Sequence, residues 1–318
     1  MNFDIKTNRF ENYDSIDLSY RKQQIFFLEK IPIYLGMFLK RKIFHSNVRT
    51  KEFVDKSYNQ STWKKVLETK SWENKKTLSD FLNSNIENSF PTFMPKPIFG
   101  DNVLVEPNIN SECTLLLNNR IQQTSILNRK KAHTQLITEL IKKHTKSSDE
   151  IVEIGCGYGL NLFNLISQGL ENNMSGYDVS TNSISAGKKI NDVFNCNVKF
   201  DVVDMTKNLN SIDLKGKTVI TFHSFEQIKR HTSNVINDLI DAKVSQVIHF
   251  EPILELYRFN MRDICSFLYI KARDYQDNIL KSLKNFENTG KLKILENYRL
   301  GYAENPVHET SLTRWTPT

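Results

Sequence analysis

The sequence predicts an α/β fold, a doubly wound and mainly parallel sheet, preceded by an N-terminal, mostly helical extension. Three observations carry this. The apolar β-branched run Ile151, Val152 and Ile154 reads as a buried strand; alternate glycines (Gly155, Gly157, Gly159) follow it, and then a helical pattern through Leu162, Phe163, Ile166 and Leu170. Nineteen residues beyond Gly159, Asp178 closes a second strand-like stretch, Gly176-Tyr177-Asp178. Strand-like and helix-like segments then alternate to the C-terminus, which implies parallel strands covered on both faces.

Strand, glycine turn and helix bring backbone N–H groups and a helix N-terminus close to a ligand, because glycine has no Cβ to hold it off. A carboxylate at the distance of Asp178 can accept both hydroxyls of a ribose, so the pair reads as a nucleoside-type cofactor site. The bland alternative is a generic strand–turn–helix with tight glycines. A dinucleotide fingerprint would place a small residue where Leu160 stands. The observed acidic-x-G-x-G-x-G pattern (Glu153, Gly155, Gly157, Gly159) instead resembles motif I of the class I S-adenosylmethionine-dependent methyltransferases. A carboxylate two residues before the first glycine suits a cofactor carrying an ammonium and a sulfonium.

The resemblance covers about residues 125–318 and is strongest over 151–252. It implies a seven-strand Rossmann-like sheet whose last strand runs antiparallel, with S-adenosyl-L-methionine as cofactor. Glu153 would hold the methionine end, Gly155 and Gly157 would let the backbone run against the cofactor, and Asp178 would take the ribose. Val179 would pack on the adenine, Asp204 would accept from its amino group, and Met205 would cover the ring. Asp201 is the rival acid, three residues earlier. Phe222 and the rest of the turn, Cys156 and Gly159, line the same site; Cys156 reads as steric fill and not as a nucleophile. Ahead of motif I the resemblance places a helix over the pocket, from which Arg120, Gln123 or Arg129 could reach the methionine carboxylate; surface solvation is the alternative.

The fourth strand ends in Thr221-Phe222-His223-Ser224-Phe225-Glu226-Gln227. It lacks the (Asn/Asp)-Pro-Pro-aromatic motif of enzymes that methylate exocyclic amines, and no Pro-Cys pair is present. His223 is the candidate general base, since an imidazole titrates near pH ~6.5; a wall histidine bonded to backbone is the alternative. Glu251, His308 and Arg314 are weaker candidates for the acceptor wall. The histidines show neither HxxxH nor HExxH spacing, so no dedicated metal site is predicted.

Length allows one domain plus a sizeable extension. The division is 1–118 for the extension and 119–318 for the catalytic domain. The net charge of +7 is uneven: residues 1–146 hold 24 Lys/Arg against 15 Asp/Glu (+9), and residues 147–318 hold 19 against 21 (−2). The basic flank could meet a glycan, nucleic acid or anionic membrane, or be a solvated face. Four scattered cysteines without CxxC fit a reducing cytoplasm, and no signal peptide is read at the N-terminus.

Along the chain, 1–20 reads as a loose lead-in. Residues 20–44 are apolar, but the longest uncharged piece, 31–39 with Pro32 inside it, is too short to cross a bilayer. That segment is a helix packed over the catalytic domain or in a homodimer seam, or else an interfacial segment touching lipid. Short amphipathic helices are expected over 54–67 and 78–86, and a proline-rich linker or rigid loop over 91–97. Helices are further expected over 119–144, 181–194, 225–241 and 254–287. Strands are expected over 174–178, 197–203, 217–223, 244–251, 291–301 and 311–316. The function read from this is methyl transfer to an oxygen or nitrogen of a small-molecule or saccharide acceptor. An RNA methyltransferase lacking an RRM or KH signature, and a non-catalytic binding protein of the same fold, are the alternatives.

Overall fold

A computed structural model describes residues 2–44, 53, 55–84, 112–207 and 209–318. The loop expected over 91–97 lies outside the described residues. Residues 2–20 are built into the molecule and are not a loose lead-in. Strands β1 (Asn2–Asp4) and β2 (Arg9–Glu11) pair antiparallel, and Phe10 packs against Tyr302 with ring centroids 5.9 Å apart. Strand β3 (Ile16–Asp17) edges a three-stranded sheet with β4 (Glu112–Leu117) and β5 (Arg120–Ser125).

That hairpin displaces the start of the helix expected over 119–144. Asn118 and Asn119 both have left-handed backbones (φ 50° and 66°), the conformation a two-residue hairpin turn requires and asparagine tolerates. The helix begins only at α4 (Ile126–His144), where the Ser125 hydroxyl accepts from Asn128 N. The division between 118 and 119 thus falls inside the turn of a hairpin.

The apolar segment 20–44 forms helix α1 (Tyr20–Phe44), with Pro32 inside it. It is followed by a π-helical stretch (Asp55–Trp63), α2 (Lys64–Thr69) and α3 (Leu78–Ser84). Val66, Trp72 and Phe81 enter the same apolar cluster as Leu162, Phe163 and Ile190 of the sheet domain. No helix among the described residues is long and apolar enough to cross a membrane.

The main sheet is made by β6 (Ile151–Ile154), β7 (Met174–Asp178), β8 (Val198–Val202), β9 (Thr218–Phe222), β10 (Gln246–Glu251), β11 (Leu292–Tyr302) and β12 (Thr310–Pro317). Between them lie α5 (Leu160–Ser167), α6 (Thr181–Phe194), α7 (Thr232–Asp241), α8 (Met261–Arg273) and α9 (Ile279–Asn288). The order is β11-β12-β10-β9-β6-β7-β8, with β12 antiparallel to both its neighbours and the central strands parallel. β6 lies between β7 and β9, so the strand order reverses there. Ligands bind at such a switch point, beyond the carboxyl ends of the strands.

Two expected helices are broken. Over 225–241, a single turn (Phe225–Ile228) precedes α7, because the Glu251 carboxylate caps the backbone N–H groups of Ser224, Phe225 and Glu226. Over 254–287, the chain reverses at Asp274, whose backbone is left-handed (φ 56°). The apolar stripe runs on in sequence because α8 and α9 each bury one side against different partners. Cys265 and Tyr269 of α8 meet Phe27 and Tyr34 of α1, whereas Ile279 and Leu283 of α9 meet Val235 and Leu239 of α7. Helix α1 is therefore packed on the sheet domain, while Ile25, Leu28, Leu35 and Leu39 stay exposed on its outer face.

Candidate active site

After β6 the chain turns through Gly155 (φ 75°), whose N–H donates to Tyr177 O at 2.7 Å. A Cβ on Gly155 would lie 2.2 Å from the Cβ of Ser224, so side-chain packing from the end of β9, beyond any ligand, demands glycine here. Cys156 is buried and fills the space above Gly176. Burial, with Asp178 and Glu153 nearby, pushes its thiol far up, which fits the steric role.

Glu153 is 1 % exposed. Its Oε1 accepts from Asn161 Nδ2 at 2.6 Å, and the other face of that amide meets His133 Nε2 at 2.9 Å. Its Oε2 is buried without a hydrogen-bond partner. Burial pushes the carboxyl up to about 8; the Asn161 bond opposes this and the Asp178 charge adds to it. A buried carboxyl with a free oxygen beside a glycine turn fits a ligand cation. If an ammonium or sulfonium docks there, the carboxylate form is needed, so binding at pH 7 should release close to one proton. Affinity should then rise between pH 6 and 8 by up to tenfold per unit. Calorimetry in two buffers of different ionisation enthalpy measures the release, and Glu153→Gln should abolish it.

Asp178 Oδ2 accepts from Gly157 N at 2.9 Å, and Oδ1 from Ser180 N at 2.8 Å. The carboxylate thus ties the glycine turn to the start of α6 in addition to any ribose contact. Asp204 accepts from Thr206 N at 3.0 Å and from its hydroxyl at 2.6 Å, closing a turn at the end of β8, while Val179 is 40 % exposed beside it. The Met205 methyl comes within 3.3 Å of where a Gly155 Cβ would be, and Phe222 meets the His133 ring edge-on at 4.7 Å. The expected cofactor residues therefore share one sheet edge.

The sequence reading missed what covers this edge. Asn59 Oδ1 accepts from the Ser180 hydroxyl at 2.7 Å and from Asn182 N at 3.1 Å. The Trp63 indole lies over Gly157 and against Tyr158, centroids 5.8 Å apart. Neither residue carries a local signal, because the contacts cross more than ninety positions of chain. On the other side of His133 is a cleft of about 350 Å³ lined by Arg129, Lys130, His133, Leu160 and Glu304. Of the three residues expected to reach the methionine carboxylate, Arg129 faces this cleft. Arg120 is exposed and pairs with Asp17 at 2.8 Å, and Gln123 is exposed.

His223 adopts a left-handed backbone (φ 49°) just past β9. Its Nε2 meets Thr310 Oγ1 at 2.9 Å and its Nδ1 lies 3.4 Å from Glu226. His308 joins it, with Nε2 at 2.8 Å from Glu226 Oε2. Burial would raise the Glu226 carboxyl, but the imidazoles of His308 and His223 hold it down at about 2. Glu251 is not a free acceptor-wall group: both its oxygens take backbone N–H groups of 224–226. Arg314 is also placed elsewhere. It bonds Glu296 at 3.0 Å and Gln246 at 3.2 Å, at the amino end of β10, because β12 runs against its neighbours.

This strand order is that of the class I S-adenosylmethionine-dependent methyltransferase fold, and solved structures, methyltransferases among them, are similar to it. Magnesium protoporphyrin IX methyltransferase from Synechocystis PCC 6803, with bound SAH, matches at 13% identity over 61% of this chain and 87% of its own, TM-score 0.45. Geranyl diphosphate methyltransferase, in complex with GPP and sinefungin, matches at 11% identity over 60% and 80%, TM-score 0.44. The pyocyanin biosynthetic protein PhzM matches at 11% identity over 61% and 57%, TM-score 0.46. The likeness is one of fold. No protein-family model and no curated protein matches the sequence.

Proposed function

We propose that the protein is an S-adenosylmethionine-dependent methyltransferase acting on an oxygen or nitrogen of a small-molecule or saccharide acceptor. The observation that carries this is the partnerless buried oxygen of Glu153, set beside the glycine turn and Asp178 at the switch point of the sheet. Bound S-adenosylmethionine supplies an electrophilic methyl group on a sulfonium. Glu153 holds the cationic methionine end, Asp178 the ribose, Asp204 the adenine amino group, and Val179 and Met205 the ring faces. The stretch around Asn59 and Trp63 excludes water above the turn, and the N-terminal part shapes acceptor choice. Displacement at a methyl carbon asks mainly for alignment and desolvation. His223, next to Ser224 whose hydroxyl bonds Ile154 O at 2.9 Å, takes the acceptor proton at its imidazole.

The test is S-adenosylhomocysteine formation across a panel of hydroxylated and amino small molecules and saccharides. With an acceptor in hand, His223→Ala should lower kcat by about 10²–10⁴-fold while the S-adenosylmethionine Kd stays within a few-fold. Undiminished turnover would reduce His223 to a wall residue.

A further inference from the structure

His223, Glu226 and His308 form a cluster that proton abstraction by one imidazole does not use up. One nitrogen or oxygen from each lies within 4.8 Å of the others. Three features set the cluster apart from an ordinary buried ion pair. Glu226 Oε2 and His308 Nε2 are 2.8 Å apart, with both atoms sealed from water. Each side chain is also held from behind. Thr310 Oγ1 sits at His223 Nε2 (2.9 Å), Gln227 Nε2 donates to Glu226 Oε1 (3.2 Å), and the Tyr275 ring stacks on His308 at 5.1 Å and 8°. Outer partners of this kind fix ligand orientation at metal centres. Lastly, the positive φ of His223 is a strain that persists where the surroundings over-determine it, and such residues gather at functional sites.

We propose that His223, Glu226 and His308 hold a divalent metal ion of the zinc class, with a further coordination position open to the acceptor. The acceptor's part in this rests on the methyl-transfer reading above; the metal site does not. Two imidazole nitrogens and one carboxylate oxygen suit zinc and its transition-metal neighbours better than magnesium or calcium, which favour all-oxygen shells. Bonds of ~2.0–2.2 Å at tetrahedral angles put ligand atoms ~3.3–3.5 Å apart. The 3.4 Å between His223 Nδ1 and Glu226 Oε2 meets this, and the 2.8 Å to His308 needs an opening of about half an ångström. Three protein ligands with an open position is the pattern of catalytic zinc. Glu251, behind the turn that carries Glu226, adds a second buried carboxylate, while the Arg273 cation lies beyond the Tyr269 ring at 5.6 Å.

The open side is that of His223, whose side chain keeps 18 % of its surface exposed while Glu226 and His308 are buried, and it lies one residue from Ser224, which packs on Gly155. An acceptor hydroxyl binding the ion through its oxygen loses its proton to solvent on the His223 side, which stays 18 % exposed, as metal-bound water does near neutral pH. The oxygen lone pair then forms the new C–O bond while the S–CH₃ electron pair returns to sulfur, and His223 serves as ligand in place of proton acceptor. Local spacing could not reveal the site, since His308 arrives from 82 residues beyond Glu226.

The test is calorimetric titration of chelator-treated full-length protein with zinc ion alone, beside separate titrations with S-adenosylmethionine. Wild type should take one zinc per chain. Glu226→Gln and His308→Ala should each weaken zinc binding at least a hundredfold, and Thr310→Val, which leaves all three ligands, about tenfold. No zinc binding by wild type, or equal affinity in wild type and in folded Glu226→Gln and His308→Ala, would overturn the site and leave His223 as a direct base. Loss of the methyltransferase reading would appear separately, as failure to bind S-adenosylmethionine.

Discussion

Asp178→Ala is expected to weaken S-adenosylmethionine binding by about 2–4 kcal/mol, roughly 30- to 900-fold, and to lower stability as well. In the proposed role of Asp178, the affinity loss is that of two charge-assisted hydrogen bonds to the ribose. The stability loss comes from the backbone: Gly157 N and Ser180 N both donate to this carboxylate, and a buried donor left unmade costs about 1–3 kcal/mol. The two effects separate in Asp178→Asn, which keeps an oxygen for Ser180 N and loses the charge. That variant should melt closer to wild type and still bind weakly. Calorimetric titration and thermal melts of both variants check this; a folded variant with unchanged affinity would sink the ribose assignment.

Removal of residues 1–84 is expected to abolish cooperative folding. Four ring pairs join the extension to the sheet domain. These are Phe10–Tyr302 at 5.9 Å, Tyr34–Tyr269 at 5.1 Å, Trp63–Tyr158 at 5.8 Å and Phe81–Phe194 at 5.7 Å. Uncovering a buried aromatic costs about 1.5–3 kcal/mol, so exposing the three buried partners, Tyr158, Tyr269 and Tyr302, costs about 4.5–9 kcal/mol, and half-buried Phe194 adds less. A whole domain is stable by about 5–15 kcal/mol. The truncated chain should show no cooperative thermal transition by circular dichroism. A sharp melt with intact S-adenosylmethionine binding would mean that the extension is an add-on.

Reading the core from the sequence worked where one element makes one kind of contact. Strands β6, β9 and β10 are buried on both faces, so their apolar runs stand out, while β8 buries one face only, and the glycines and Asp178 lie within thirty residues of each other. It failed where a short polar signal outweighed a longer apolar one. Asn118-Asn119 turns the chain back on itself, while Ile126 to Ile141 continues as a helix, and the helical period spread over both. The stripe over 254–287 misled for a similar reason, since period does not record which core each turn faces.

By itself the sequence determined the α/β class, the glycine turn and its carboxylates, because backbone geometry at a tight turn and burial of parallel strands leave local marks. It also pointed to His223 and His308 as separate candidates. Only the tertiary structure decided that these two converge on Glu226, that Glu251 is consumed in capping backbone N–H groups, and that Arg314 bonds at the amino end of β10. It likewise decided that Asn59 and Trp63 cover the cofactor edge. The physical reason is distance along the chain: antiparallel strand direction and packing between remote segments are set by which apolar surfaces find each other, and no local spacing records that choice.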